Sequence, residues 1–180
     1  MVEQPGLFRH GDAEHMFGNG AIFSDDGVYR YRLWRIWNSD RHPTVFLMQN
    51  PSKAGCERND ITVSKCIGFA RRWGAGGIVV VNPFAFVMTD TDELVAARDR
   101  GIDIVGPEND AHLKAAFAVA DQVIVAWGGH AIVRAAATRT LAMITADTPV
   151  ECLGYTREGH PRHPSRLGYA TERVPFEVRA

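Results

Sequence analysis

Thr44-Val45-Phe46-Leu47-Met48-Gln49-Asn50-Pro51-Ser52 decides the fold. Val45 to Met48 form an unbroken apolar run of strand length, as strands covered on both faces do. Gln49 and Asn50 then set two amides at the strand's end. Pro51 has no N–H to give and stops the ladder. Ser52, Lys53 and Gly55 make a polar loop, and Asp60 or Thr62 can cap the helix that follows. The apolar positions of that helix, Val63, Cys66, Ile67, Ala70 and Trp73, keep helical spacing. Strand, polar loop and helix in this order place Gln49, Asn50 and Ser52 outside the carboxyl end of a parallel sheet. Open α/β sheets bind their ligands there.

The pattern recurs downstream. Ile78 to Val81 read as a second buried strand, ending in Asn82-Pro83. Gln122 to Trp127 read as a third, running into Gly128-Gly129-His130 and a helix through Val133, Ala136, Ala137, Leu141 and Ile144. Pro149 to Leu153 read as a fourth. Between the second and third, Thr89-Asp90-Thr91-Asp92 can cap a short helix through Leu94 and Ala97. Pro107 suits the first position of another, through Leu113, Ala116, Phe117 and Ala120. Strands alternating with helices predict an α/β fold of three layers, α/β/α, with a central parallel sheet of about four strands. Right-handed crossovers put the strand ends on one rim.

Ala21 to Trp37 read as an N-terminal β-hairpin turning at Ser24-Asp25-Asp26-Gly27. Its second arm alternates Arg30, Arg32 and Arg35 with aromatic and aliphatic residues. That pattern predicts a half-exposed edge strand whose arginines solvate the edge or reach a phosphate. Residues 1–20 lack periodicity and are expected to form a flexible arm. Residues 21–180 are expected to form a single α/β domain.

Composition narrows the function classes. The chain has 180 residues, 46% hydrophobic and 23% charged, with a net charge of −1. A near-neutral chain exerts no global pull on nucleic acid, so a polyanion site must be a local patch. Cys56, Cys66 and Cys152 have no paired spacing, which argues against a disulfide framework or a cysteine-built metal site. No segment approaches a membrane span and no signal-peptide pattern opens the chain. The expected location is cytoplasmic, with no membrane partner and no cofactor. Oligomeric state leaves no mark on the sequence.

Four elements are expected to meet on the rim: Gln49-Asn50-Pro51-Ser52, Asn82-Pro83-Phe84, Trp127-Gly128-Gly129-His130, and the basic loop Gly159-His160-Pro161-Arg162-His163-Pro164-Ser165-Arg166. Amides read the edges of planar heterocycles through paired donors and acceptors. Aromatic rings stack on their faces. Arginines hold phosphate, and backbone N–H groups after Gly128 can bind an anion at a helix start. Bland roles compete: Asn before Pro also suits a turn, and Trp127 also suits a core. Lys53 and Lys65 read as surface charge and His112 as solvated. His160 and His163 invite a metal, but no nearby Cys, Asp or Glu completes a ligand set, so none is expected.

The motifs Tyr31-Arg-Leu-Trp-Arg-Ile-Trp37, Asn50-Pro-Ser52, Cys66-Ile-Gly-Phe-Ala-Arg-Arg-Trp-Gly74, Gly106-Pro-Glu-Asn-Asp110, Ala126-Trp-Gly128 and Gly159-His-Pro-Arg-His-Pro164 together resemble the domain-of-unknown-function family 1643. More distantly, the chain resembles the uracil-DNA glycosylase superfamily, whose mismatch-specific and thymine-type members carry Asn-Pro after the first core strand. Met48-Gln49-Asn50-Pro51 is similar to that motif. Asn82 is similar to the asparagine that recognises the base, and Ala126-Trp127-Gly128 to a Leu-Trp-Gly strand end. His163-Pro164-Ser165-Arg166-Leu167 is similar to the closing His-Pro-Ser motif, with His160-Pro161 as an alternative register. Asn50 stands where the fast enzymes have a water-orienting Asp, Ser52-Lys53 stands where they have Tyr-His, and Arg166 replaces a Pro.

The resemblance implies a nucleobase or nucleotide pocket. Asn50, His163 and His160 are the candidate catalytic residues. Gln49, Ser52, Asn82, Phe84, Trp127, Gly128, Arg162, Ser165 and Arg166 are the candidate substrate contacts. The implied activity is hydrolysis of an N-glycosidic bond by a monofunctional DNA glycosylase. The alternatives are a non-catalytic binder of nucleotides or single-stranded nucleic acid, and an enzyme that modifies DNA bases or nucleosides.

Overall fold

The computed structural model describes residues 18–52 and 59–177. Lys53, Gly55 and Cys56 fall outside that range, as does most of the expected N-terminal arm. Among the described residues the strands are β1 (Gly18–Phe23), β2 (Arg30–Ile36), β3 (Pro43–Leu47), β4 (Gly77–Val81), β5 (Val123–Val125), β6 (Val150–Cys152) and β7 (Val174–Pro175). The helices are α1 (Ile61–Arg72), α2 (Thr91–Asp99), α3 (Asn109–Phe117) and α4 (Ala131–Leu141). No described helix is long and apolar enough to cross a membrane.

All strands join one mixed sheet in the order β1-β2-β4-β3-β5-β6-β7. β4, β3, β5 and β6 run parallel, with Val45 opposite both Val79 and Val123. The sheet is thus wider than the four strands expected. β2 runs antiparallel to β4, β1 to β2, and β7 to β6. From β3 the chain steps to β4 on one side, then passes back over β3 to β5 on the other. That reversal is a topological switch point, beside which α/β sheets open their crevices.

Side chains alternate across the sheet and separate two cores. Phe46, Met48, Ile78, Val80 and Ile124 pack with Val63, Cys66, Phe69 and Ala70 of α1. Val45, Leu47, Val79 and Val81 pack with Leu94 of α2, Leu113 of α3 and Ile132 of α4. Asp60 caps α1, its Oδ1 accepting from the Val63 N–H at 2.7 Å. Asp90 caps α2 by accepting from Asp92 and Glu93. α3 starts at Asn109, two residues past Pro107, so the proline precedes the helix and does not open it. His130 caps α4, its Nδ1 accepting from the Ile132 N–H, and so occupies the helix start where an anion was expected.

Four sequence expectations need correction. β2 is an interior strand, not an edge, because β1 takes the outer position; all of its residues are buried. Its alternation records two packed faces, with no solvated side. Arg35 accordingly donates to the carbonyls of Trp34 and Gly20 and to Asn59 Oδ1. β1 begins at Gly18, so residues 18–20 belong to the sheet and not to an arm. His112 is not simply solvated: its ring stacks on Tyr31 with centroids 4.7 Å apart. Lys65 is also more than surface charge. Its ammonium donates to Leu167 O at 2.8 Å and lies over the Tyr169 ring, tying the C-terminal loop to α1.

Candidate functional site

A cavity of about 370 Å³ opens at the carboxyl ends of β3 and β4. Gln49, Asn50 and Ser52 enter it from the loop after β3, Asn82 from the end of β4, and His163 from the C-terminal loop. Met48, Val63, Val80 and Met88 are among its apolar walls, and Thr62, Thr89 and Thr91 add hydroxyls. Residues far apart in the chain meet here because each follows the carboxyl end of a parallel strand.

The amides are held in different ways. Gln49 Nε2 donates to Thr91 Oγ1 at 2.9 Å. Asn50 Nδ2 donates to Met88 O. Asn82 is 1% exposed, and its Nδ2 has no hydrogen-bond partner. Its backbone, by contrast, is braced. The Asn109 amide donates to Asn82 O at 3.0 Å and to Pro83 O at 3.2 Å. Arg139 of α4 also donates to Pro83 O and pairs with Asp110.

Three ionisable side chains complete the lining. Asp60 Oδ2 accepts from Ser52 Oγ at 2.6 Å, so the helix cap is also the cavity's one carboxylate among the described residues. Arg30 is 3% exposed and donates to Ser52 O at 3.4 Å. Burial pulls its guanidinium down to about 10, with Asp60 opposing the shift and Arg35 adding to it, so it stays charged at neutral pH. Burial also lowers the pKa of His163, against the pull of Asp60, and keeps the ring neutral at pH 7. Its Nδ1 lies 2.9 Å from Ser165 Oγ and accepts the Ser165 N–H at 3.4 Å. The proton of the neutral ring therefore sits on Nε2. Cys66 lies in the wall with its thiol pKa pushed up by burial, which leaves it protonated and unreactive.

Other expected contacts lie elsewhere. Phe84 and Trp127 are both buried in the core shared with α2, α3 and α4, so neither wall of the cavity carries them. Trp127 instead meets Phe176 edge-on and borders a separate groove with His160. His160 and His163 thus serve different depressions, and His163 is the one in the cavity. Gly128, at φ 79°, lies beside His163 without lining the cavity. Ser165 and Arg166 border a second depression that shares Asp60 and Thr62 with the cavity. Arg162 is exposed beside Gly154.

Sequence reasoning took Arg30 only as one of the arginines that solvate an edge or reach a phosphate, and Asp60 only as a cap. A cap that follows a parallel strand necessarily sits on the rim, so the signal for Asp60 was present. Arg30 had none. Alternation along β2 aligns it with Trp34 and Ile36, which pack on the α2–α4 side. The pairing of β1 with β2 slips between Ile22 and Phe23, leaving Tyr31 without a partner. One extra residue reverses the alternation beyond it. Arg30 consequently lies with Met48, Cys66 and Val80 in the cavity wall.

No curated protein and no solved structure matches the chain significantly. A family model described as "Protein of unknown function (DUF1643)" matches residues 30–165, a span that begins at Arg30 and ends just past His163. By that match over most of its length, the chain belongs to the DUF1643 family.

Proposed function

We propose that the cavity binds a nucleobase, free or carried on a nucleotide or single strand, and that the protein hydrolyses its N-glycosidic bond. The observation that carries the proposal is Asn82 Nδ2. An unpaired buried amide donor costs about 1–3 kcal/mol, and a bound acceptor removes that cost. The volume suits one planar ring with its sugar. Met48 and Met88 would flank the ring, since thioethers make favourable contacts with aromatic faces. The resemblance of Met48-Gln49-Asn50-Pro51, Asn82 and His163 to glycosylase motifs supports the same role.

Each step of the reaction has a group suited to it. Asn50 Oδ1 would orient a water but, as an amide, cannot take its proton. Asp60 would accept that proton as the water oxygen bonds to the anomeric carbon. The glycosidic bond breaks with its electron pair leaving on the base. His163 Nε2–H, neutral and positioned through Ser165, would donate to the departing anion. Arg166 of the adjoining depression would meet the phosphate.

The test is abasic-site formation on a panel of oligonucleotides carrying single modified bases, with Asn50→Ala and Asp60→Asn as controls. Turnover lost in both variants while binding survives is the expected result. Binding without cleavage on any substrate would leave a non-catalytic binder, the reading favoured by an amide at position 50. No binding of any base or oligonucleotide would overturn the proposal.

A further inference from the structure

Asp60 and Thr62 line two depressions at once. Beyond the cavity they border a second one of about 580 Å³, with Asn59, Ile61, Ser165 and Arg166. The start of α1 forms one side of it and the single helical turn Pro164–Arg166 the other. His163 caps that turn by accepting the Ser165 N–H, so the cavity's histidine and Arg166 belong to one short element. Leu167, which ends the turn, is buried in the core shared with α1, and Lys65 of α1 donates to Leu167 O at 2.8 Å. Both sides of the second depression are therefore tied to one helix. Ile61 is 71% exposed, whereas no other large apolar side chain among the described residues exceeds 39%. Arg166 is exposed and has no ion-pair partner among the described residues.

Resting on the nucleobase reading above, we infer that the second depression holds the nucleotide next to the one whose base fills the cavity, so that the ligand is a single-stranded oligonucleotide. The neighbouring base lies on Ile61, and the phosphate between the two nucleotides meets Arg166. Every base has an apolar face, so a contact of this kind tolerates any sequence. Asp60 shares the depression, but its oxygens already accept from the Val63 N–H and from Ser52 Oγ. Its charge offsets that of Arg166, and the chain's net charge is −1. A strand bound here is accordingly held by its bases more than by its phosphates. The same near-neutral surface offers little grip on the second backbone of a duplex. A single strand also presents its base without the cost of unpairing it.

The test compares a deoxynucleoside with a single-stranded trimer carrying the same base between two thymidines, for adenine, guanine, cytosine, thymine, uracil and hypoxanthine. For the base that binds best, wild type should bind the trimer at least about fivefold tighter than the nucleoside, the low end for one stacked neighbour. Ile61→Ser should bring that ratio below about twofold. The exposure of Ile61 lets this variant fold, which its thermal midpoint verifies. Arg166→Gln should lower the salt slope of trimer binding by about 0.7, the value for one phosphate of a single strand. Asn82→Ala should weaken nucleoside and trimer by the same factor and so leave the ratio unchanged. A wild-type ratio near one, or a ratio that Ile61→Ser keeps, would overturn the inference and leave the nucleobase cavity standing. Tighter binding of a duplex than of a single strand of equal length would overturn the assignment of a single-stranded ligand. Trimer binding indifferent to Asn82→Ala, or no binding of any probe, would overturn the nucleobase reading and the inference with it.

Discussion

The side chain of Asn109 holds the backbone of Asn82: its Nδ2 donates to Asn82 O at 3.0 Å from a position with no solvent exposure. Asn109 opens α3, on the opposite side of the sheet from α1. The cavity-lining residue whose amide nitrogen is buried without a partner is therefore fixed from behind. Asn109→Ala strips a donor from a buried carbonyl, a loss of about 1–3 kcal/mol. Urea denaturation should show that loss, and ligand binding should weaken with it because Asn82 loses its brace.

Asn82→Ala should behave in the opposite sense. The unpaired Nδ2 does nothing for stability, so its removal should cost less than about 1 kcal/mol or stabilise the fold. Nucleobase or oligonucleotide binding should fall by about 1–3 kcal/mol, the range for a lost base contact. Calorimetric titration beside thermal melts checks both halves. A large stability loss with unchanged binding would make Asn82 a structural residue only.

His163 gives the pH dependence its sign. Burial lowers its folded-state pKa below the ordinary histidine value of 6.5. The unfolded chain thus binds a proton first as pH falls. Stability should be flat above about pH 6.5 and decline as pH drops from there through the folded-state pKa. In His163→Asn that component of the slope should vanish. Proton NMR titration of the ring measures the pKa directly, and a value above 6.5 would reverse the argument.

Asp60 carries a structural and a proposed chemical role that substitution can separate. Asp60→Ala removes the α1 cap and should cost about 0.5–2 kcal/mol. Asp60→Asn caps almost as well, so its thermal midpoint should stay near wild type. Yet an asparagine cannot accept a proton, so turnover should be lost in Asp60→Asn as completely as in Asp60→Ala. Retained turnover in the asparagine variant would remove Asp60 from the mechanism.

Much of this site was legible because its signals are local. Val45 to Met48 and Ile78 to Val81 are apolar without a break, and only strands covered on both faces read that way. The polar residues that end those runs had to fall on one rim, which is how Asn50, Asn82 and His163 could be grouped from sequence. Arg30 was illegible for a geometric reason: one unpaired residue at Tyr31 flips the alternation, and no residue type announces it. Trp127 and Phe84 were misplaced because an aromatic at a strand end suits a core and a ligand equally. Whether β2 lay at an edge depended on β1, whose sequence Gly18-Asn19-Gly20 carries little strand propensity.

The order in which the cavity's parts occur along the chain has a consequence for synthesis. Arg30 precedes the first parallel strand, and His163 follows the last. A ribosome therefore releases every strand of the parallel core before the histidine emerges. Domains fold as units, and this one cannot close its cavity on a partial chain. A nascent chain stalled before residue 163 would expose the buried arginine's chamber with one wall missing.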